Sequence, residues 1–179
     1  MAATGVLTKA RTEILISGFG GQGVVRMGQI LGLAAIRQGM RVTMLKSHGT
    51  ETRGGYVRAQ LVVAPEYVDS PVVEHADYFV AFSQSAYSKI YELASGAILY
   101  DPDMVTKVQP RDPERHVRVP ATALAKERFN NALFANSIML GALTRLAGLD
   151  AGAVRAAMLE VLPRFHDENA KAFLLGCEL

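Results

Sequence analysis

The sequence predicts an α/β fold, a layered sandwich with a mostly parallel central sheet and a helical C-terminal third. Three observations carry that prediction. Short apolar runs bounded by glycine or proline alternate with helical patterns through the first hundred residues. The run Ile14–Ser17 passes into the glycine cluster Gly18-Phe19-Gly20-Gly21-Gln22-Gly23, the layout of a strand, a tight turn and a helix. From Thr122 onward the pattern is helical throughout.

The elements follow in order. Residues 1–11 carry no periodic pattern and read as a loose leader. Glu13–Ser17 is a buried strand, and Gln22–Gln38 shows the 3.6-residue rhythm of a helix that Gly39 stops. Arg41–Lys46 is a second strand, so the opening predicts a βαβ unit with a right-handed crossover. Ser47–Gly55 is a polar, glycine-rich loop, and Tyr56–Val63 alternates as a third strand. Tyr78–Phe82 is a fourth strand, followed by a helix over Ala86–Leu93. Ala97–Tyr100 and His116–Val119 complete the sheet. Helices are expected over Ala123–Phe129, Ala132–Ala147, Ala153–Leu162 and Asn169–Leu175. The second of these, Ala132–Ala147, is apolar on nearly all sides, which predicts a core helix, with an interface helix as the alternative. No repeat or linker divides the chain.

Composition narrows the function class. The 179 residues hold 19 Lys+Arg against 17 Asp+Glu, a balance of +2. That is too even to argue for nucleic acid or an anionic membrane, and no basic run is interleaved with aromatics. Counted with glycine and without tyrosine, apolar residues reach about 56%, against roughly 45–50% in average proteins. The excess fits a large core and also fits burial against partner chains. A single cysteine, Cys177, excludes a disulfide framework, and no Cys-x-x-Cys pair is present to hold zinc or an iron–sulfur cluster. No signal peptide or apolar span of membrane length is seen, so the cytoplasm is the expected compartment.

Gly18, Gly20 and Gly23 fit G-x-G-x-x-G, the spacing that brings backbone N–H groups against a phosphate at a helix N-terminus. The same glycines also suit close strand–helix packing. A dinucleotide site expects an acidic residue at the end of the second strand, where this chain has Lys46, Ser47 and His48. That weakens a nicotinamide or flavin reading. A second constellation, Glu51-Thr52-Arg53-Gly54-Gly55, is expected at the same carboxyl edge of the sheet. Together Gly18, Gly20, Gly21, Gln22, Gly23, Glu51, Arg53, Gly54 and Gly55 are the candidate edge for a ligand or a partner chain. The four histidines stand at no metal-ligand spacing, and no nucleophile elbow occurs. No catalytic residue and no metal ligand is expected on this chain.

Several runs in their order resemble the gamma subunit of 2-oxoacid:ferredoxin (acceptor) oxidoreductases. They are Gly18–Val25, Gly49–Gly55, Asp69-Ser70-Pro71 with Ala76–Ala81, Asn136–Gly141, and Glu168-Asn169 with Ala172-Phe173. The Glu-x-Arg-Gly-Gly form is most like 2-oxoglutarate enzymes, although His48 stands where Tyr or Phe is commoner. Pyruvate, branched-chain 2-oxoacid and indolepyruvate enzymes remain alternatives. The resemblance implies one Rossmann-like domain over residues 12–176. It implies alpha and beta subunits as partners, with or without delta, and ferredoxin reached through the complex. Thiamine diphosphate, Mg²⁺ and iron–sulfur clusters would sit on those partners, with coenzyme A a substrate of the whole. Two other readings stay open: an independent nucleotide-cofactor oxidoreductase, and an assembly module whose glycine loops bind no small molecule.

Overall fold

A computed structural model describes residues 10–48 and 56–179, with six strands and six α-helices among them. The strands are β1 (Thr12–Phe19), β2 (Arg41–His48), β3 (Tyr56–Ala64), β4 (Ala76–Ala81), β5 (Ala94–Tyr100) and β6 (His116–Arg118). They form one sheet in the order β2-β3-β1-β4-β5-β6. Strands β1, β4, β5 and β6 pair in parallel, and β3 runs antiparallel to both β1 and β2. Five strands therefore share one direction. The expected βαβ opening is modified, because β1 and β2 are parallel but β3 lies between them. The sheet is an α/β core with one reversed strand.

The helices are α1 (Val24–Arg37), α2 (Gln84–Ile90), α3 (Ala121–Phe129), α4 (Ala135–Leu146), α5 (Ala151–Val161) and α6 (His166–Cys177). Helices α1 and α3 to α6 build the larger core on one face, around Ile14, Ile16, Leu61, Val80, Ile138 and Phe173. The other face is covered by α2 and flanking loops, around Leu15, Phe79, Tyr87 and Ile98. The expected helix over 132–147 is split. Asn131 Oδ1 accepts from Leu133 N at 2.9 Å, which closes a 3₁₀ turn over Ala132–Phe134 before α4 begins. Ile138, Met139 and Leu143 are fully buried, so the core alternative for this helix prevails.

Two of the runs that carry the resemblance turn out to be packing devices. Helices α4 and α6 cross so closely that a Cβ on Gly141 would lie 2.1 Å from the Phe173 carbonyl oxygen, and one on Gly176 would lie 2.0 Å from that of Ile138. At the far end of the sheet, Arg11 donates to Glu13 at 2.7 Å, to Asp69 at 2.6 Å and to the Val72 carbonyl at 3.0 Å. Buried Glu13 accepts in turn from Glu74 N and His75 N at 2.7 and 2.8 Å, while its own N–H donates to Asp77 Oδ2 at 2.9 Å. That mesh ties the 69–77 loop to β1 and β4. Among the described residues no helix is long and apolar enough to cross a membrane.

Candidate functional site: the glycine turn and its cleft

The parallel strands point their carboxyl ends at one edge, and the turn after β1 stands there. Its glycines divide into two kinds. Gly18 is buried at the end of β1, where an added Cβ would meet Gln22 Oε1 at 2.5 Å and Phe82 Cβ at 2.7 Å. Gly23 caps α1 in the left-handed region, φ 79°, and a Cβ there would lie 2.3 Å from Asn136 Nδ2. These two are demanded by packing and backbone geometry. Gly20 and Gly21 are exposed and have nothing within 4 Å of an added Cβ, although Gly21 also has φ 88°. These two hold the turn open.

Gln22 is used internally. Its Oε1 accepts from Phe19 N at 2.6 Å and its Nε2 donates to the Phe82 carbonyl at 2.9 Å. One amide thus braces the ends of β1 and β4. Gln22 N–H donates to the Phe19 carbonyl at 3.3 Å, closing the turn. Among the described residues no acceptor meets the N–H groups of Gly20, Gly21, Gly23, Val24 or Val25. The first turn of α1 has no acidic side chain and no side-chain cap. Among the described residues nothing compensates the positive end of the helix macrodipole, and it adds to the field that the open turn presents to an anion.

A cleft of about 460 Å³ opens beside this turn. Phe82, Met104, Leu133 and Ala135 give it apolar walls, and Thr122, Lys126 and Asn136 give it polar points. A second hollow of about 280 Å³ lies on the opposite side, between Phe19, Gly20 and Arg26. The cleft owes its shape to Asp101, fully buried at the end of β5. Its Oδ2 accepts from Thr122 N at 2.7 Å and Thr122 Oγ1 at 2.6 Å, and its Oδ1 accepts from Asp103 N at 3.1 Å. A carboxylate on the first turn of α3 satisfies orphan N–H groups and faces the positive dipole end. The sequence pattern ends β5 at Tyr100 and names neither Asp101 nor Lys126 as a site residue. The Asp-Pro pair marks a turn, but nothing local tells which helix its carboxylate caps.

Glu51, Arg53, Gly54 and Gly55 lie outside the described residues. Their flanking strands are described, and they qualify the expected convergence. Tyr56 pairs with Phe19, so β3 starts beside the glycine turn, whereas His48 ends β2 one strand further out. The end of β2 is therefore not next to β1. A dinucleotide site places its ribose-binding acid on the strand adjacent to the glycine turn. Here that neighbour is a reversed strand, which adds a topological objection to the nicotinamide reading.

Other reactive side chains are engaged in structure. His116 Nδ1–H donates to the Asp112 carbonyl at 3.1 Å, which leaves Nε2 to accept from Tyr87 O–H at 2.8 Å. Burial pushes the Cys177 thiol above its ordinary value, which disfavours the nucleophilic thiolate. No group of three or more His, Cys, Asp or Glu that could hold a metal ion occurs among the described residues.

Comparison with known proteins agrees with this architecture. A family model described as pyruvate ferredoxin/flavodoxin oxidoreductase matches residues 13–179. The chain is 38% identical over 179 residues to the 2-oxoglutarate synthase subunit KorC of Methanothermobacter marburgensis, spanning 94% of this chain and 96% of that one. It is 35% identical over 150 residues to the ketoisovalerate oxidoreductase subunit VorA of the same organism, spanning 82% of this chain and 31% of VorA. The solved gamma subunit of a keto/oxoacid ferredoxin oxidoreductase from Geobacter sulfurreducens superposes with a TM-score of 0.81 at 30% identity, spanning 95% of this chain and 96% of that one.

Proposed function

The chain belongs to the pyruvate ferredoxin/flavodoxin oxidoreductase family as a gamma-type subunit of a 2-oxoacid:ferredoxin oxidoreductase, and from that premise we propose that its complex acts on 2-oxoglutarate. The observation that carries the substrate is end-to-end similarity to KorC, at 38% identity. Similarity to VorA is 35% and spans a smaller share of the chain, so a branched-chain 2-oxoacid is the alternative substrate. Partner alpha and beta subunits would hold thiamine diphosphate, Mg²⁺ and iron–sulfur clusters. Those groups would supply decarboxylation and pass two electrons to ferredoxin, while the acyl group leaves on coenzyme A. This chain needs no catalytic set for that division of labour.

Its own part lies at the glycine edge. Gly20 and Gly21 leave the backbone open, the N–H groups of Gly20, Gly21, Gly23, Val24 and Val25 meet no acceptor among the described residues, and Lys126 lines the cleft. That edge suits the phosphates of coenzyme A, and the apolar wall of Phe82, Met104 and Leu133 suits a flexible carbon chain. Glu51, Arg53, Gly54 and Gly55 belong to the same proposed edge.

Gly20 is the clean probe, because it is exposed, has open space around it and does not sit at positive φ. Gly20→Val is expected to leave folding and assembly intact while raising KM for coenzyme A about tenfold, the loss of one or two charge-assisted contacts. Steady-state kinetics of the whole complex measure this. An unchanged KM in an assembled variant would remove coenzyme A from this edge. The assembly-module reading would then stand, and one observation favours it: Gln22, Gly18 and Gly23 are all explained by internal packing.

A further inference from the structure

The parallel run of the sheet ends at β6, and among the described residues no strand pairs with the outer side of that strand. The chain is described without a break from β5 to the end of α6. In a parallel ladder alternate residues of a strand bond toward the same neighbour. Val119 N–H donates inward to the Tyr100 carbonyl at 2.9 Å, so Arg118, one residue earlier, turns its backbone N–H and C=O outward. Such an unpaired edge is a ready template for another strand.

A groove of about 390 Å³ runs beside the edge, between Val117, Arg118 and Val119 of β6 and Ala142, Arg145 and Leu146 of α4. Val117 and Ala142 belong to the larger core and give the groove an apolar side, while Leu146 is left 42% exposed. Two exposed cations flank it. His116 bonds Tyr87 on one face of the sheet and Val117 packs with the helical core on the other. Alternation therefore puts Arg118 on the Tyr87 face, whereas Arg145 of α4 stands on the helical face. Arg145 lies in the last turn of α4, where a cation suits the negative end of the helix. Among the described residues neither arginine has a carboxylate within ion-pair distance.

We propose that the β6 edge and its groove seat an extended, acidic segment of a partner subunit, added to the sheet as a further strand. The unpaired edge supplies main-chain hydrogen bonds, and the groove takes an apolar side chain of the added strand against Val117 and Leu146. Charge complementarity selects the occupant. Successive side chains of an added strand point to opposite faces, so acidic residues at neighbouring positions reach Arg118 and Arg145. A carboxylate answers a guanidinium with two parallel N–H···O bonds. With only three residues in β6 the main-chain bonds are few, and the arginines carry the discrimination between partners. The proposal rests on the reading of this chain as a subunit, and its groove shares no residue with the cleft beside the glycine turn.

The test uses the whole complex, recovered from its native cell through a tag on this chain. In one arm a photoreactive benzophenone amino acid replaces exposed Leu146. Irradiation is expected to link that position to a co-purified subunit, within a segment carrying Asp or Glu, as read by mass spectrometry of the joined peptides. In the other arm Arg118→Gln with Arg145→Gln, and Arg118→Glu with Arg145→Glu, are compared with wild type and with Lys171→Glu, an exposed charge reversal on α6. Recovery of the linked subunit is expected to fall about tenfold for the glutamine pair and further for the glutamate pair, with Lys171→Glu unchanged. The glutamine pair keeps much of the side-chain bulk and removes the charge, so it reports on the interface if the glutamate pair folds poorly. Wild-type recovery with both pairs would overturn the proposal. So would a link to a second copy of this chain, to a segment without acidic residues, or to no subunit of a recovered complex. If wild type itself brings down no subunit, the subunit reading fails and the proposal falls with it.

Discussion

Gly176→Val is expected to unfold much of the helical layer, lowering stability by about 3 kcal/mol or more and the melting temperature by roughly 10 °C. The reason is the α4–α6 crossing. A Cβ at Gly176 falls 2.0 Å from the Ile138 carbonyl oxygen and 2.8 Å from its carbonyl carbon. Both are backbone atoms, so no rotamer change relieves the clash and the helices must separate. Separation would uncover Phe173, Ile138 and Met139, which are now fully buried. Gly141→Val meets the Phe173 carbonyl from the other side and should act alike. Because the two clashes share one crossing, the double variant should cost less than the sum of the two. Thermal unfolding followed by circular dichroism measures this, and a shift under about 2 °C for Gly176→Val would contradict the crossing geometry.

The second large effect is expected at Asp101. Removing its carboxylate by Asp101→Ala takes the acceptor from Thr122 N, Thr122 Oγ1 and Asp103 N at a part-buried junction, where Asp101 is fully buried, Thr122 half-buried and Asp103 exposed. A loss of about 2 kcal/mol follows, since the cap on Thr122 and the bond to Asp103 N are each worth about 1 kcal/mol at a part-buried site. Asp101→Asn keeps the shape and one acceptor oxygen, so it should lose less. The local consequence matters as much as the global one. Thr122 lines the cleft, and Met104 N and Val105 N both donate to the Asp101 backbone carbonyl. Loosening this junction should widen the cleft at its α3 side. Amide exchange at Asp103–Val105 and Thr122–Ala125 should therefore accelerate in Asp101→Asn more than exchange in β1. Uniform acceleration across the sheet would show that Asp101 matters only for global stability.

The pattern of apolar runs was enough to locate the strands and helices, because each buried face imposes its own period. Ile14–Ser17 and Tyr78–Ala81 are so apolar that only central strands fit them. Strand order was not readable in the same way. The reversal of β3 and its insertion between β1 and β2 depend on pairing partners such as Ser17 with Arg58, which leave no trace in periodicity. Gly141 and Gly176 were equally opaque, since a glycine inside a helix does not announce the helix that crosses it. At the site, the glycine motif was visible, but its division of roles was not. Two of its members are fixed by Gln22 within the turn and by Phe82 and Asn136, which are distant in sequence, and two stay open. The Glu51–Gly55 half of the candidate edge lies outside the described residues, so its part rests on the resemblance.

The proposal that this chain works only as a subunit of a 2-oxoacid oxidoreductase is open to experiment. Its most direct test is purification from the native cell through this chain, followed by assay of 2-oxoglutarate oxidation. A brown, cluster-bearing complex is expected, with activity that requires coenzyme A and is absent from this chain alone. Recovery of the chain by itself, stably and repeatedly, or a complex with no 2-oxoacid oxidation, would contradict it.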